Sequence, residues 1–359
     1  MSLSQQRCAK PQNDDIFSKQ MTQIAKGIAI LAMFFHHMYK NNPCVPIPIA
    51  PENMLEIFAA AGKVCVCLFM ILSGYGITKS RQNKPDNYSN AKFVYNHIIN
   101  LLFSFMFVFL FTVFIYVSSG ESLTEVYGGG AMGVFYFIKD MLGLERLGPE
   151  TPSLCIAWWF MEAVFLCYLL FPLFYKIIGH NKYTAAGCLF VCYIPWIVYQ
   201  ICQGWDWKSD REIFYFFAFA VGVFCARYNI FDKAVAFSNR HKVPFAFLSF
   251  AGVIVFFFVR VKLRLIADPF FALSVIFAVI GIFRFIPVVK DILVNLGDNS
   301  SNMYMSHMMI KPLLAGIPFI GNSFKTLCFL LICWGLAMLL DKLKELLHYN
   351  NLVKRLLIK

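Results

Sequence analysis

Residues 26–37 read KGIAILAMFFHH, an apolar stretch with a lysine at one end and two histidines at the other. On a helix, Lys26 and His37 share one face about 16 Å apart along the axis, whereas His36 points about 100° away. An ionisable group in the middle of a bilayer costs about 2.5–3.5 kcal/mol, so such groups in apolar helices usually serve a function. We therefore expect one of the histidines to face a polar cavity. The alternative is that both only pack near the helix end.

The composition predicts an all-α, polytopic membrane protein. Hydrophobic residues make up 59 % of the chain and charged residues 14 %, against about 25 % charged in a typical soluble domain. The length of 359 residues accommodates about ten transmembrane helices. We predict an N-terminal tail at 1–20, a single transmembrane domain at 21–342 and a basic C-terminal tail at 343–359. The predicted spans are 21–39, 57–78, 93–117, 154–176, 184–202, 213–228, 243–260, 269–286, 302–320 and 325–342.

The positive charge of the chain sets its predicted orientation. The net charge of +12 does not indicate nucleic-acid binding, because the basic residues lie in short connections between apolar runs. More Lys and Arg residues lie in the tails and even-numbered connections than in the others, which predicts that both termini are cytoplasmic. The stretch from Arg260 to Arg264 runs against this trend. It indicates either a misplaced helix boundary, which we favour, or a basic patch that faces an anionic substrate. The segment 131–144 is apolar but short, and we predict an interfacial or re-entrant helix there.

The 12 cysteines show no zinc-site spacing, and most lie inside apolar stretches. We interpret them as small buried hydrophobic residues and predict no metal site. A disulfide between Cys44 and Cys155 is an alternative that no other feature of the sequence supports.

Polar residues also occur in three other predicted spans. Lys63 lies near the outer end of the second span, where it either faces the cavity or extends to the interface. In the same span, Ser73 and Gly74 favour close helix packing or local unwinding. Glu162 shares a helix face with Trp158 and needs a partner, for which Lys63 and the two histidines of the first span are candidates. His307, in the ninth span, has either a structural hydrogen bond or a ligand role.

Four motifs in this order resemble those of the acyltransferase 3 family of integral membrane acyltransferases. The first is a basic residue and Gly followed by His, and the second is an apolar stretch that ends in LSGY. The third is a Trp and Glu ahead of Phe-Pro, and the fourth is a late Ser, Tyr and His. They lie here at Lys26, Gly27 and His37; at 68–75; at Trp158, Glu162, Phe171 and Pro172; and at Ser300, Tyr304 and His307.

The resemblance implies transfer of an acyl group, most often acetyl, from a cytoplasmic acyl-CoA. The implied acceptor is a hydroxyl of a cell-surface glycan or of its lipid-linked precursor, and the implied location is the plasma membrane. Two positions depart from the family pattern. Lys26 replaces an arginine and lacks its planar bidentate contact with phosphate, and His97 and Asn100 replace an arginine pair in the third span. Four cations of the preceding connection are candidate substitutes: Lys79, Arg81, Lys84 and Lys92.

Acyl transfer to a hydroxyl needs a base, and a neutral histidine suits this role near pH 7. We predict His37 as general base or transient acyl carrier, with Glu162 orienting it. The predicted donor site holds the CoA phosphates at Lys26, His97 and Asn100. The predicted cavity residues are His36, Lys63, Ser73, Tyr75, Trp158 and His307. Besides the donor, the expected partners are the lipid bilayer and the glycan acceptor, and the pattern carries no signal for an oligomeric state.

Two other classes of protein remain open. Intramembrane His, Lys and Glu also suit a proton-coupled transporter or a flippase of glycan precursors, although no inverted repeat is evident. The altered third span also leaves open a regulatory protein that has kept the fold and lost catalysis.

Overall fold

The computed structural model describes residues 16–39, 52–144, 152–203, 215–315 and 322–358. Within these ranges the chain forms helices and short connections and no β-strand, so the all-α fold class is confirmed. Most of the predicted N-terminal tail and of the connection after the first span lie outside the described residues, as does Cys44.

Sixteen α-helices form in the described ranges. They are α1 (Lys19–Tyr39), α2 (Glu52–Ala61), α3 (Val64–Gln82), α4 (Asn90–Ser118), α5 (Leu123–Tyr127), α6 (Gly130–Met141), α7 (Trp159–His180), α8 (Lys182–Gln203), α9 (Tyr215–Arg227), α10 (Ile230–Arg240), α11 (Lys242–Leu263), α12 (Asp268–Ile282), α13 (Pro287–Asp298), α14 (Ser300–Ala315), α15 (Asn322–Leu346) and α16 (Tyr349–Leu356).

Five helical stretches of the described chain are long and apolar enough to cross a membrane, and α9 is a shorter apolar helix. The five stretches are Met54–Gln82, Asn90–Ser118, Trp159–His180, Lys242–Ile282 and Phe324–Leu346. The protein is thus a helical membrane protein. A helix also occupies each of the ten predicted segments, while ten membrane crossings and the cytoplasmic location of both termini stay predictions.

The second predicted span is divided into two helices, α2 and α3, which meet at Gly62 and Lys63. Because residue 62 is a glycine, the backbone at the break lies directly against α1. A Cβ at Gly62 would overlap the carbonyl oxygen of Ala32 and contact the side chain of His36. The sequence analysis did not predict a break at this point. Its position brings Lys63 and the beginning of α3 beside the histidines of α1.

Two side chains donate hydrogen bonds to carbonyls in the last turn of α2. His36 donates from Nδ1 to the carbonyl of Ala59 at 2.7 Å, and Arg260 donates to the carbonyl of Ala60 at 2.6 Å. Arg260 is itself buried and forms an ion pair with Asp268 at 2.9 Å. The same two carbonyls also accept the backbone N–H groups of Gly62 (3.1 Å) and Lys63 (3.3 Å), so the side chains of His36 and Arg260 add a second donor to each. Since α11 continues to Leu263, the helix boundary was misplaced, and Arg260 lies inside the protein rather than on a basic patch.

Helices α3 and α9 pack backbone against backbone. A Cβ on Gly74 would overlap the carbonyl of Phe219, and a Cβ on Gly222 would overlap the carbonyl of Ile71. Since α3 is helical throughout Val64–Gln82, the expected alternative of unwinding around Ser73 is not observed. The glycines therefore serve close packing between these helices, as small residues do in membrane proteins.

Two connections between the predicted spans form helices, α10 and α13, and so does the predicted C-terminal tail, which contains α16. Helix α13 lies along the first half of α1. A Cβ on Gly27 would overlap the backbone of Leu293, and a Cβ on Gly297 would overlap the backbone of Gln23. These short helices escaped the sequence analysis because they are too short to meet the length expected of a span.

The predicted interfacial segment 131–144 contains the short helix α6, and a buried carboxylate ties it to its surroundings. Asp140 accepts hydrogen bonds from the hydroxyl groups of Tyr127 (2.6 Å) and Ser153 (2.9 Å) and from the backbone N–H of Leu154 (2.9 Å). Burial raises the pKa of the Asp140 carboxyl, and the three hydrogen bonds lower it only in part, so the net direction is upward. These bonds hold α5, α6 and the entry to α7 together.

Candidate functional site

A cavity of about 240 Å³ lies where α1, the break between α2 and α3, the beginning of α7, and α14 meet. Its wall is mainly apolar and carries a small number of polar side chains, the usual composition of a small-molecule site. The polar or ionisable members are His36, His37, Lys63 and Tyr304. The remaining members are Met33, Cys65, Val66, Phe69, Ala157, Trp159 and Phe160.

Both histidines of the first span line this cavity, where the sequence analysis had expected one of them to do so. His36 is held by its hydrogen bond to the carbonyl of Ala59. Because a carbonyl only accepts, Nδ1 of His36 carries the hydrogen. The rings of His36 and His37 lie 5.3 Å apart, nearly perpendicular. Helix periodicity placed them on different faces correctly, but the cavity is wide enough to include both.

His307, from α14, packs against His37 with a ring-to-ring distance of 4.8 Å. It is completely buried, and its Nδ1 donates to the carbonyl of Tyr304 at 2.5 Å. That bond fixes the tautomer, so Nε2 is the nitrogen able to accept a proton. The structure thus brings together two residues that are far apart in the sequence.

Lys63 reaches the cavity because it is the residue at the break between α2 and α3. Cys65 and Val66, in the first turn of α3, line the cavity beside it. Lys63 thus places a positive charge beside the histidines. Such a charge stabilises negative charge that develops in a reacting group.

Glu162 is 2 % exposed and lies in the first turn of α7. This end of a helix favours a carboxylate. Two neighbours on the same helix, Trp159 and Phe160, line the cavity. Glu162 therefore lies within three residues of two cavity-lining residues in the sequence. Its role as the group that orients His37 stays a prediction.

Trp158 and Trp159 have different surroundings although they are adjacent. Trp158 is 1 % exposed, packs edge-to-face on Phe105 at 5.2 Å and donates to the carbonyl of Met305 at 2.8 Å. Trp158, predicted to lie in the cavity, thus fills an aromatic core, and its neighbour lines the cavity. The hydroxyl of Tyr304 donates to the carbonyl of Ala157, a second link between α7 and α14.

Ser73 and Tyr75, also predicted as cavity residues, lie further along α3 and are not among the cavity-lining residues. Ser73 lies beside the Tyr168 hydroxyl. The Tyr75 hydroxyl donates to Asp232 at 3.4 Å, and Lys79 forms an ion pair with the same carboxylate at 2.8 Å. Here the two side chains connect α3 to its neighbours.

Lys26, the predicted phosphate-binding residue of α1, is half-buried and lies within electrostatic range of Asp298 at the end of α13. Gln23, one turn earlier on α1, donates to the Asp298 carboxylate at 2.7 Å. Lys26 is not among the residues that line the cavity. Lys26 and His37 therefore mark two separate levels of the same helix, as the 16 Å spacing predicted.

His97 and Asn100 have different environments on α4. His97 is half-buried, donates from Nδ1 to the carbonyl of Phe93 at 2.8 Å and packs on the Phe93 ring at 4.2 Å. Asn100 is exposed and lines a separate polar groove. Arg81, a candidate substitute for the family arginines, is buried and donates to the side chain of Asn90 at 2.9 Å. Like Lys79, which pairs with Asp232, it helps to build the connection between α3 and α4.

The sequence analysis missed Trp159 as a cavity residue, and it used Tyr304 only as part of a motif. The sequence analysis singled out Trp158 because it lies one turn before Glu162. Trp159 is its immediate neighbour, so the signal pointed to the right region but to the adjacent residue. Within the described part of the chain, no group of three or more His, Cys, Asp or Glu side chains is arranged to hold a metal ion.

Apolar helices around a cavity that contains histidines and a lysine define a membrane protein with a buried polar centre. The acyltransferase 3 family, described as an acyltransferase domain, matches residues 23–342, and this chain belongs to that family. The match covers most of α1, all of α2 to α14 and the greater part of α15. It supports acyltransferase activity in general. Comparison with curated proteins and with solved structures gave no match.

Proposed function

We propose that this protein transfers an acyl group, acetyl in the simplest case, from a cytoplasmic acyl-CoA to a hydroxyl of a cell-surface glycan or of its lipid-linked precursor. The observation that carries the proposal is the contact between His37 and His307 at a cavity that also contains Lys63. Family membership supports the reaction class. The acyl donor, the acceptor and the plasma-membrane location are parts of the proposal that go beyond family membership.

His37 is the proposed general base. Its ring lies 4.8 Å from that of His307, and two positive charges at this distance repel. This repulsion disfavours the doubly charged pair, and a neutral ring is able to accept a proton. With Nδ1 of His307 committed to a backbone carbonyl, a proton shared by the pair moves through Nε2 of that ring. We propose Glu162 as the carboxylate that favours the charged form of the pair.

The proposed reaction needs no reagent besides donor and acceptor. The acceptor hydroxyl loses its proton to His37, and its oxygen attacks the thioester carbonyl. A C–O bond forms, the C–S bond breaks, and the CoA thiolate leaves with the proton that the histidine holds. If His37 is instead a transient acyl carrier, its ring nitrogen attacks first and the hydroxyl then takes the acyl group from it. Lys63 stabilises the negative charge on the carbonyl oxygen in either route.

The size of the cavity limits what it holds. Its volume of about 240 Å³ is below the roughly 300–1,000 Å³ of sites that enclose a whole drug-sized ligand. It suits the reacting ends of the two substrates, namely the acyl thioester and one hydroxyl. The nucleotide part of CoA and the rest of the glycan therefore lie outside it. Lys26, His97 and Asn100 remain the proposed contacts of the donor on the side of the bilayer where α1 begins.

Transport without covalent chemistry is the second candidate, and one observation favours it. Transporters use discontinuous membrane helices near their substrate sites, and α2 and α3 form such a pair at the cavity. The two functions differ in one product. Only the acyltransferase releases free CoA and leaves an ester on the acceptor.

The test is replacement of His37 by Ala in the gene, with surface polysaccharides analysed by mass spectrometry and protein levels measured in parallel. We expect acylation to fall by about 10²–10⁴-fold, the usual contribution of a general base. His180→Ala is the matched control, because His180 is an exposed histidine at the end of α7. Normal acylation in the His37 variant at normal protein level would refute the proposed mechanism.

A second measurement separates the two functions. Purified protein in nanodiscs is incubated with acetyl-CoA, and free CoA is measured with and without a glycan extract of the cell envelope. We expect acceptor-dependent release of CoA. Movement of the glycan precursor across vesicles without CoA release would support transport instead.

A further inference from the structure

The histidine cavity has a polar end and an apolar end. The polar end lies at the break between α2 and α3, where Lys63 lines the wall beside His36 and His37. Further along the wall, four apolar side chains have no role in the proposed reaction. They are Met33 from α1, Val66 and Phe69 from α3, and Phe160 from α7.

The directions of α1 and α3 separate the two ends. The beginning of α3 lies against the last turns of α1, since a Cβ at Gly62 would overlap the carbonyl of Ala32. The later part of α3 lies near the start of α1, where the rings of Phe17 and Tyr75 are 5.4 Å apart. The two helices are therefore antiparallel, and the apolar end lies from the break toward the start of α1.

Aromatic rings form the apolar end. Lys63, Val66 and Phe69 follow one another at a spacing of three residues on α3, so they form one stripe along the cavity. Over this stripe α3 rises about 9 Å. The Phe69 ring lies 6.3 Å from that of Phe160, which packs edge-to-face on Tyr304 at 5.2 Å. Rings from α3, α7 and α14 thus meet beyond Val66.

The substrates of the proposed reaction offer one apolar group to this end. A glycan presents hydroxyl groups and the arm of CoA contains amides, whereas the acyl chain is hydrocarbon. Polar groups buried against Phe69 and Phe160 would lose their hydrogen bonds to water, but each methylene buried there favours binding about fourfold. The apolar end therefore suits the acyl chain, with the thioester carbonyl directed toward Lys63.

The length of the apolar end limits that chain. An octanoyl chain with C–C bonds of about 1.5 Å spans about 9 Å, which is the whole rise from Lys63 to Phe69. It would leave no room for the thioester and the acceptor hydroxyl in a cavity of about 240 Å³. A butanoyl chain spans about 4 Å and leaves that room.

We propose that the apolar end of the cavity receives the acyl chain of the donor, and that Phe69 and Phe160 restrict it to short chains, from acetyl to butanoyl. This inference rests on the proposed function and adds the residues that select its donor. The bonds that form and break are those of the proposed reaction. The two rings act by excluding longer chains from the position in which the thioester reacts.

The test compares acetyl-CoA, butanoyl-CoA and octanoyl-CoA as donors for purified protein in nanodiscs, with the glycan extract as acceptor. Acceptor-dependent release of CoA gives kcat/KM for each donor. Because the donors are compared on one preparation, the ratio of two kcat/KM values is independent of the folded fraction. Phe69→Ala enlarges the apolar end, and Val66→Phe fills it. Phe114→Ala is the matched control, because Phe114 on α4 is 66 % exposed.

We expect the unmodified protein to use octanoyl-CoA about 100-fold less well than acetyl-CoA. Phe69→Ala should raise the octanoyl-to-acetyl ratio about tenfold or more, and Val66→Phe should lower the butanoyl-to-acetyl ratio by a similar factor. Phe114→Ala should leave both ratios unchanged. If Phe69→Ala fails to fold, Phe69→Leu and Val66→Phe decide.

Two results would overturn this inference and leave the proposed function standing. One is equal use of the three donors by the unmodified protein. The other is the same octanoyl-to-acetyl ratio in Phe69→Ala as in Phe114→Ala. Absence of CoA release from every donor would overturn the proposed function and this inference together, so the two failures are distinguishable.

Discussion

The histidine cavity contains one lysine, Lys63, and the polar groove lined by α4, α15 and α16 contains two, Lys344 and Lys354. The two sites use their polar groups in different ways. His36 lines the cavity, and His307 packs behind it against His37 without lining it. Each of the two binds a backbone carbonyl through one ring nitrogen, and the other ring nitrogen of each is chemically able to take up a proton. In the groove, Lys344 bonds to other side chains, which in turn bond to one another. The first arrangement suits proton transfer, whereas in the second the polar groups satisfy one another within the protein. Polar residues within a membrane bundle therefore need to be interpreted through their partners.

The largest expected effect on stability comes from Arg260, which donates a hydrogen bond to a carbonyl of α2 near the cavity. Arg260→Met leaves Asp268 buried without its ion pair, and loss of one partner of such a pair typically costs about 3–5 kcal/mol. We expect a large decrease in thermal unfolding temperature in detergent, together with loss of acyl transfer. Lys262→Met, an exposed lysine two residues later, is the control. Combined replacement of Arg260 by Met and Asp268 by Leu should unfold at a higher temperature than Arg260→Met alone, and the opposite order would contradict this account.

The next effect concerns Lys63, which distinguishes the cavity from the groove most directly. Lys63→Met removes the positive charge beside the histidines, and we expect acyl transfer to fall about 100-fold, as for the loss of one group that stabilises an oxyanion. The unfolding temperature should change little, because the residue lies at a helix break. Unchanged acyl transfer in Lys63→Met, with Lys342→Met as reference, would mean that Lys63 serves only the packing of the break.

The smallest of the three effects concerns the two adjacent tryptophans. Trp158→Phe removes the hydrogen bond to the carbonyl of Met305, which keeps its helical donor within α14, and we expect the lost bond to lower stability by about 0.5–1.5 kcal/mol. Trp159→Phe should lower acyl transfer with a smaller loss of stability, because Trp159 lines the cavity. Thermal unfolding and CoA release, measured on both variants, test this division. If Trp158→Phe reduced activity more than stability, Trp158 would belong to the site after all.

The membrane class and the importance of the first span were predictable because they follow from local properties. Apolar composition and helix periodicity are read from neighbouring residues, and they gave the all-α class and the separate levels of Lys26 and His37. The break at Gly62 was missed because the same residues also suit an uninterrupted helix. Trp158 was named as a cavity residue and Trp159 was not considered, for a similar reason. Which of two adjacent aromatic residues faces a cavity depends on the rotation of α7 against α14, and no local pattern specifies it.

The sequence by itself determined that the protein is helical, lies in a membrane and carries costly polar groups inside its apolar segments, because burial in lipid restricts which residues each segment contains. The family motifs added the reaction class. Only the tertiary structure decided which of those groups meet. It brought His37 to His307, set Lys63 at a helix break beside them, and gave Arg260 and Lys344 partners inside the protein. The physical reason is that a hydrogen bond or an ion pair forms only within a few ångströms, and the packing of helices distant in the sequence sets that separation.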